Sequence, residues 1–335
     1  MRQASLSWVV AVDGGTTNTR ARLIHDGGIV ATSRRGVGVR DGVASRNASA
    51  VAGAVREVIR DVLADGGGVR PDVVVVSGML TSEVGLVPLS HVAAPAGVDD
   101  LARGSSLREL PEVFDRPILF IPGVKTPPTD GPGGWADADV MRGEECESLG
   151  LIGRLGLAGP VALLWPGSHS KLVRVDPEGR IERSVTTLAG ELTAAVARHT
   201  LIAASLPEGL PEHPDLESAR SGARIAASEG LGRAAFLVRM LALAGATTPE
   251  QRAAFWVGAV VGDDSANLAR HPILDDAVPL WVGGPRPQRE LYAEALGLLH
   301  DGPVVAVSDD DAQAAAALGA LAVARAYFTM RGRRA

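Results

Sequence analysis

Four short strings combine glycine with hydroxyl, acidic or basic side chains in patterns suited to chemistry on phosphate esters. The first, Asp13-Gly14-Gly15-Thr16-Thr17-Asn18-Thr19-Arg20, follows the apolar run Trp8 to Val12. An acid at the end of a buried strand is costly unless it is paired, hydrogen-bonded or beside a metal. Asp13 therefore fits the one or two carboxylates that a hydrated Mg²⁺ needs. Two glycines allow a tight turn and close backbone approach, while Thr hydroxyls and turn amides can donate to phosphate oxygens. An ordinary hairpin with a polar turn is the alternative, because Asp-Gly-Gly is common turn chemistry. Neither a P-loop nor a G-x-G-x-x-G fingerprint occurs.

Pro166-Gly167-Ser168-His169-Ser170-Lys171 is a second Gly-and-hydroxyl turn. Two such turns facing one another could hold a triphosphate from both sides, with His169 as a ligand contact or as a structural histidine. Arg142-Gly143-Glu144-Glu145 reads as the first turn of a helix. A carboxylate there could take the proton of an attacking hydroxyl while the arginine steadies anionic groups, or the string could be a solvated helix start. Trp281-Val282-Gly283-Gly284-Pro285-Arg286 ends a strand and opens a helix with proline in its first turn, where a flat base could approach the backbone.

The elements that must carry these strings repeat. Trp8 to Val12, Ala21 to Ile24 and a third strand after Asp26-Gly27-Gly28 form an antiparallel start. Val161 to Leu164, Lys171 to Val175 and Arg180 to Val185 repeat it after Pro166-Gly167-Ser168 and Asp176-Pro177-Glu178-Gly179. Helical spacing from Ser49 to Leu63, a buried run Val73 to Val76 and a strand at Ile118 to Ile121 make the first half mixed α/β. The Pro/Gly-rich stretch Lys125 to Trp135 marks a loop and lobe boundary, so the expected domains are 1–135 and 136–335. A helix is expected from about Asp139, as N-cap, to Leu155. Helices dominate Leu188 to Arg270. A strand at Val278 to Val282, a helix after Gly283-Gly284-Pro285, a strand at Val304 to Val307 and an Ala-rich buried helix from Ala312 to Phe328 complete an α/β lobe of two or three layers.

With 335 residues, 46% of them hydrophobic, two lobes are the natural expectation. The net charge is -6 and basic residues are scattered singly, which argues against a nucleic-acid surface. Cys146 is the only cysteine, so no internal disulfide can form and a reducing cytosol suits the chain. The apolar run near Met1 is too short for a signal-peptide core and the Ala-rich helix too short for a bilayer span, so a cytoplasmic protein without a membrane partner is expected. Arg331 to Arg334 reads as a solvated tail.

In order, these strings resemble the sugar-kinase, heat-shock-protein and actin superfamily, and more closely the 2-dehydro-3-deoxygalactonokinase family. Ser77-Gly78-Met79, Ile121-Pro122-Gly123, Val140-Met141-Arg142-Gly143-Glu144-Glu145, Ala189-Gly190-Glu191-Leu192 and Ala317 to Ala320 extend the resemblance over nearly the whole chain. It implies a two-lobe actin-like ATPase (ribonuclease H-like) fold with the nucleotide in the interlobe cleft. The implied reaction moves the ATP γ-phosphate, with Mg²⁺, to the C6 hydroxyl of 2-dehydro-3-deoxy-D-galactonate or a related sugar acid. The implied base is Glu144, with Glu145 the second choice, assisted by Arg142. Asp13 would organise the metal. Gly15, Thr16, Thr17, Asn18 and Arg20 would hold phosphates from one lobe, and Gly167, Ser168, His169, Ser170 and Lys171 from the other. Gly283 and Gly284 would take the adenosine, and Met79, Thr81 and Ser82 the acceptor. A homodimer is among the expected states. The family usually has tryptophan where this chain has Gly14, and Gly-Ser followed by Gly-Trp where it has Thr81-Ser82-Glu83-Val84-Gly85-Leu86, which could shift the acceptor. The rival expectations are a kinase of another sugar or polyol, an ATPase, and a nucleotide-gated regulatory protein.

Overall fold

A computed structural model describes residues 6–41, 48–131, 133–209, 211, 213–274 and 278–332. The chain divides into two compact units, residues 1–159, 175–184 and 313–335 in the first and 160–174 and 185–312 in the second.

The first unit is built on a six-stranded sheet with the order β3-β2-β1-β4-β7-β6. Its strands are β1 (Trp8–Gly14), β2 (Thr19–His25), β3 (Gly28–Arg35), β4 (Val73–Gly78), β6 (Ser106–Arg108) and β7 (Ile118–Phe120). β1 pairs antiparallel with β2 and parallel with β4, which runs parallel to β7. Helix α1 (Ala48–Asp65) brings Val51, Val55, Val58, Ile59 and Val62, spaced three and four apart, onto Val10, Val12, Val74 and Val76. Both faces of β4 are buried, which is why its sequence is a continuous apolar run and not an alternation.

A three-stranded sheet, β5 (Val92–Ala93), β8 (Val124–Thr126) and β9 (Asp139–Met141), lies in the same unit, with the short helix α2 (Val98–Gly104) between β5 and β6. Lys125 therefore belongs to a strand, and the Pro/Gly-rich loop begins after Thr126. The expected N-cap Asp139 is also in a strand, where it accepts a hydrogen bond from the Ser184 hydroxyl at 2.5 Å. Helix α3 (Glu144–Leu155) starts five residues later, with Gly143 as N-cap at φ 112°. Arg142 consequently precedes the helix. Periodicity alone did not separate Asp139 to Met141 from the helix because three residues are too few to show an alternation.

The second sheet has the order β12-β11-β10-β13-β14, from β10 (Val161–Trp165), β11 (Ser170–Val175), β12 (Ile181–Thr187), β13 (Leu280–Val282) and β14 (Val304–Ala306). It repeats the first sheet's order of third, second, first, fourth and fifth strands. The outer end of its β11–β12 hairpin, residues 175–184, is counted with the first unit. Helices α4 (Ala189–His199), α5 (Leu216–Glu229), α6 (Leu231–Ala244), α7 (Pro249–Ala269) and α8 (Gln288–Gly297) belong to the second unit. α7 has a full capping box: Thr248 Oγ1 accepts the Gln251 N–H at 3.2 Å, and Gln251 Oε1 accepts the Thr248 N–H at 2.9 Å. Pro285 lies ahead of α8, not in its first turn. Of the expected basic tail, Arg331 ends the last helix, α9 (Asp309–Gly332), and residues 333–335 lie outside those described.

Two glycines fix α3 against α9. A Cβ on Gly150 would stand 1.9 Å from the Ala315 carbonyl oxygen, and one on Gly319 would stand 1.9 Å from that of Cys146. These contacts are with backbone, so no rotamer change relieves them. Gly150→Ala should lower stability by about 1–3 kcal/mol through overpacking. Gly153→Ala on the same helix meets nothing within 4 Å and should raise it by roughly 0.5–1 kcal/mol. Urea unfolding of the two variants checks the contrast, and equal effects would show that the close approach does not constrain α3.

Candidate active site

Asp13 stands at the carboxyl end of β1, opposite Arg20 on β2 and Ser77 on β4. The backbone around its carboxylate is bare of side chains. Gly78, at φ 75°, would place an added Cβ 2.7 Å from Asp13 Oδ1, and Gly143, at φ 112°, would place one 3.6 Å from it. Both conformations favour glycine, and both bring main chain where a side chain would otherwise stand. Burial pushes the Asp13 carboxyl up, opposed by the charge of Arg22 and then of Arg20. The two arginines share a strand face because they lie two residues apart on β2. Arg22 is 6% exposed, and burial lowers its own pKa.

The turn after β1 closes by a Gly15 N–H donating to the Asn18 carbonyl at 2.8 Å. It is held from outside, since the N–H groups of Val39 and Arg40 donate to the carbonyls of Gly15 and Thr16 at 3.3 and 3.1 Å. Asn18 Oδ1 accepts from Arg34 Nη2 at 2.8 Å, and its amide nitrogen donates to Thr17 Oγ1 at 2.9 Å. The turn is thus rigidly placed, with Thr17 exposed and Thr16 half-buried. Gly14, where relatives carry a larger residue, faces Leu80: a Cβ there would lie 2.3 Å from Leu80 Cγ. Leu80, fully buried, fills the space that a side chain at position 14 would need.

The left-handed step at Gly143 aims the first turn of α3 back at Asp13. Glu144 is half-buried there, and Glu145 is completely buried. Glu145 Oε2 accepts the Gly143 N–H at 2.7 Å, closing the helix start on itself. Burial, then the charges of Glu144 and Asp13, push the Glu145 carboxyl from the usual 4.5 up to about 8. Glu147, one turn on from Glu144, is pushed well up by burial and next by Asp13. Cys146, also buried, is pushed up by burial and then by Glu145. A buried, protonated Glu145 cannot meet a solvent-borne hydroxyl, whereas Glu144 at the open end of the helix can. Among the described residues no group of three or more acidic, histidine or cysteine side chains is placed to cage a metal ion. Asp13 is a single hard oxygen donor, which fits a Mg²⁺ held otherwise by phosphates and water and not a site made wholly of protein.

Beside this cluster a cavity of about 460 Å³ is lined by Met79, Ser82, Glu83, Val84, Leu89, Ser90, His91, Lys125 and Arg142. Arg142 is fixed by donating to Thr81 Oγ1 at 2.9 Å and to the Leu89 carbonyl at 2.6 Å, while Thr81 donates to the Gly78 carbonyl at 3.0 Å. Ser82 donates to the Met79 carbonyl at 2.7 Å, shaping the short turn Met79–Thr81. Burial, with Arg142 and Lys125 nearby, lowers His91 to about 4, so it is neutral near pH 7.

In the second unit, Gly167 and Ser168 form a turn at the end of β10 on which Gly190 rests, a Cβ at Gly190 lying 2.2 Å from the Gly167 carbonyl oxygen. The Glu191 N–H donates to the Ser168 carbonyl at 3.0 Å, and His169 Nε2 lies 3.3 Å from Glu191 Oε1. Ser170 and Lys171 turn inward: Ser170 is hydrogen-bonded to the Tyr292 hydroxyl at 3.1 Å, and Lys171 Nζ donates to Thr186 Oγ1 at 2.6 Å. Gly283 and Gly284 follow β13, parallel to β10, and pack on Trp165 and Pro166. The two glycine turns of this unit are therefore neighbours at the carboxyl ends of parallel strands, the usual place for ligands in such sheets. A cavity of about 110 Å³ opens there, lined by Gly167, Ser170, Gly190, Gln288 and Tyr292 among others. Arg22, Glu147, His91 and Lys125 escaped the sequence reading. The period of two from Arg20 and the helical step from Glu144 were usable signals for the first two, and nothing local marked the others.

A strand order repeated in two sheets, with an acid ending the first strand and glycine turns at strand ends, defines the actin-like ATPase fold. The activator of 2-hydroxyisocaproyl-CoA dehydratase from Clostridium difficile, solved with bound ADPNP, has a similar fold at a TM-score of 0.50 and 14% identity, over 98% of this chain and 97% of that one. The profile described as 2-keto-3-deoxy-galactonokinase matches residues 13–322, and the chain belongs to that family. A crystal structure of a candidate 2-dehydro-3-deoxygalactonokinase from Sinorhizobium meliloti superimposes at a TM-score of 0.71 with 24% identity, covering 95% of this chain and 96% of that one. The curated protein of Rhizobium meliloti (strain 1021) named "Probable 2-dehydro-3-deoxygalactonokinase" is 30% identical over 201 residues, which is 60% of this chain and 60% of that protein. The match thus spans less than two thirds of the curated relative. Among the described residues, no helix is long and apolar enough to cross a membrane.

The buried Glu145 gives a pH test. Its folded-state pKa lies above the ordinary value, so between about 4.5 and 8 the folded chain keeps a proton that the unfolded chain releases. Its contribution is most favourable below that window and is lost as pH rises through it. Glu145→Gln keeps an acceptor for Gly143 and removes the titration. Urea unfolding should show the variant gaining on the wild type from pH 5 to pH 8.5, and parallel stability curves would refute a raised Glu145 pKa.

Proposed function

We propose that this chain is an ATP-dependent kinase that transfers the γ-phosphate to the C6 hydroxyl of 2-dehydro-3-deoxy-D-galactonate or a closely related sugar acid in the cytoplasm. The observation that carries this reading is the placement of Glu144 and Asp13 together at the edge of the Arg142-lined cavity, in a chain of this family.

The acceptor sits in the cavity of the first unit, oriented by Met79, Ser82 and Arg142. Glu144 accepts the proton of its C6 hydroxyl as the oxygen attacks the γ-phosphorus. Glu145 holds the Gly143 N–H and so keeps the base in line, acting as a positioning residue. Arg142 and Arg20 oppose negative charge on the transferring group. Gly15, Thr16 and Thr17 offer amides and hydroxyls to phosphate, as do Gly167 and Ser168 in the second unit, where Gly283 and Gly284 leave room for the adenosine. His169, paired with Glu191, borders that turn. Mg²⁺, bound through Asp13, would supply charge neutralisation on the phosphates.

Glu144→Gln should lower kcat on the order of a hundredfold or more, with ATP binding largely intact, as expected for loss of a general base. A coupled ADP-release assay over 2-dehydro-3-deoxy acids, aldonates and neutral sugars checks both points. Near-normal turnover in the variant would remove Glu144 from the role. ADP release by the wild type that is independent of any acceptor would replace the kinase reading with an ATPase.

A further inference from the structure

Three strands of the small sheet bring cations to one face. Lys125 on β8 pairs with Val140 on β9 and with Ala93 on β5. Side chains alternate between sheet faces, so Arg142, two residues after Val140, and His91, two before Ala93, flank Lys125 on the same side. All three line the 460 Å³ cavity, together with Glu83.

Their charges do not cancel. His91, lowered to about 4, is neutral near pH 7. Arg142 is already committed to Thr81 and the Leu89 carbonyl, and Glu83 is among the acids whose charge acts on it. Lys125 is exposed to the cavity, and among the described residues no hydrogen bond or ion pair holds its ammonium. The cavity therefore carries one surplus positive charge on a mobile side chain. It is matched to a ligand with a single negative charge, which a sugar acid has and a neutral sugar lacks.

We infer that Lys125 binds the carboxylate of the acceptor and sets the preference of this chain for a monoanionic sugar acid over an uncharged sugar. The inference rests on the kinase reading and adds the residue that selects the acceptor's charge. Arg142 keeps the pocket wall in place, and Glu83 limits the pocket to one net charge, which works against dianionic ligands such as the phosphorylated product.

The test compares Lys125→Gln and Lys125→Arg with the wild type on 2-dehydro-3-deoxy-D-galactonate and on the corresponding 3-deoxy-hexulose, whose C1 is a hydroxymethyl group. Loss of one charge-assisted hydrogen bond should raise the KM of Lys125→Gln for the acid about tenfold or more, with kcat and the KM for ATP within about twofold of wild type. Efficiency on the hexulose should be unchanged, and Lys125→Arg should recover most of the affinity for the acid. An unchanged KM for the acid, or an equal loss on both acceptors, would overturn the inference while leaving the kinase reading standing. Failure of the wild type to phosphorylate either compound would overturn the kinase reading and the inference with it.

Discussion

Main chain packed against the Asp13 carboxylate is the constraint on which the first unit's chemistry depends. Gly78 and Gly143 both adopt positive φ, and a Cβ on either would fall within 3.6 Å of Asp13 Oδ1. Only glycine meets both demands at these places, a backbone turned the unusual way and a neighbour too close for a side chain. Because Gly143 is also the N-cap of α3, the same contact fixes where that helix begins. The helix start then decides that Glu144 faces the open end while Glu145 turns inward to the Gly143 N–H. The far side of α3 is fixed independently by Gly150 and Gly319 against α9. Glycines thus determine the position of the helix at both ends, and the acids on it inherit their roles.

The repeated strand plan was legible because each strand that opens a unit is a continuous apolar run followed by a Gly-and-hydroxyl turn. The turn strings at Asp13, Gly167 and Gly283 were legible for the same reason, as local chemistry marks them. What the sequence concealed is the small sheet. β5, β8 and β9 have two or three residues each, below the length at which alternation can be seen, and β8 sits at the head of a proline-rich stretch that reads as loop. Lys125 was therefore counted with the connector and His91 with nothing. The start of α3 was placed too early because Asp139 imitates an N-cap, whereas the actual cap has no side chain. The inward turn of Ser170 and Lys171 depends on Tyr292 and Thr186, of which Tyr292 is remote in sequence, and no local pattern carries that information.

The departures at position 14 and after Met79 belong together. Leu80 occupies the space in front of Gly14, so a bulky residue at 14 and a leucine at 80 exclude one another. Changing one requires changing the other, and the turn from Met79 to Ser82 that carries Leu80 also lines the acceptor cavity. An altered pocket wall and an altered first turn are therefore one structural change. The specificity of the pocket cannot be inferred from relatives that retain a large residue at position 14.

The acidic cluster and the acceptor cavity impose opposite demands on charge. Asp13, Glu144, Glu145 and Glu147 gather where polyphosphate and a sugar acid would have to come, and four ionised carboxylates would repel both. Burial answers part of this by pushing Glu145 and Glu147 toward their neutral forms. Arg22 and Arg20 oppose Asp13 from the strand behind it. In the cavity the balance is reversed, with two cations against Glu83 and a neutral His91. A field that changes sign over this short path orients an acceptor carrying its charge at one end and its reacting hydroxyl at the other: the carboxylate is drawn to the cationic sheet face, and the uncharged end is left beside the acids. Orientation by opposed charges needs no close shape match to the sugar ring or chain, which is how a cavity without an aromatic wall can still present one hydroxyl to Glu144.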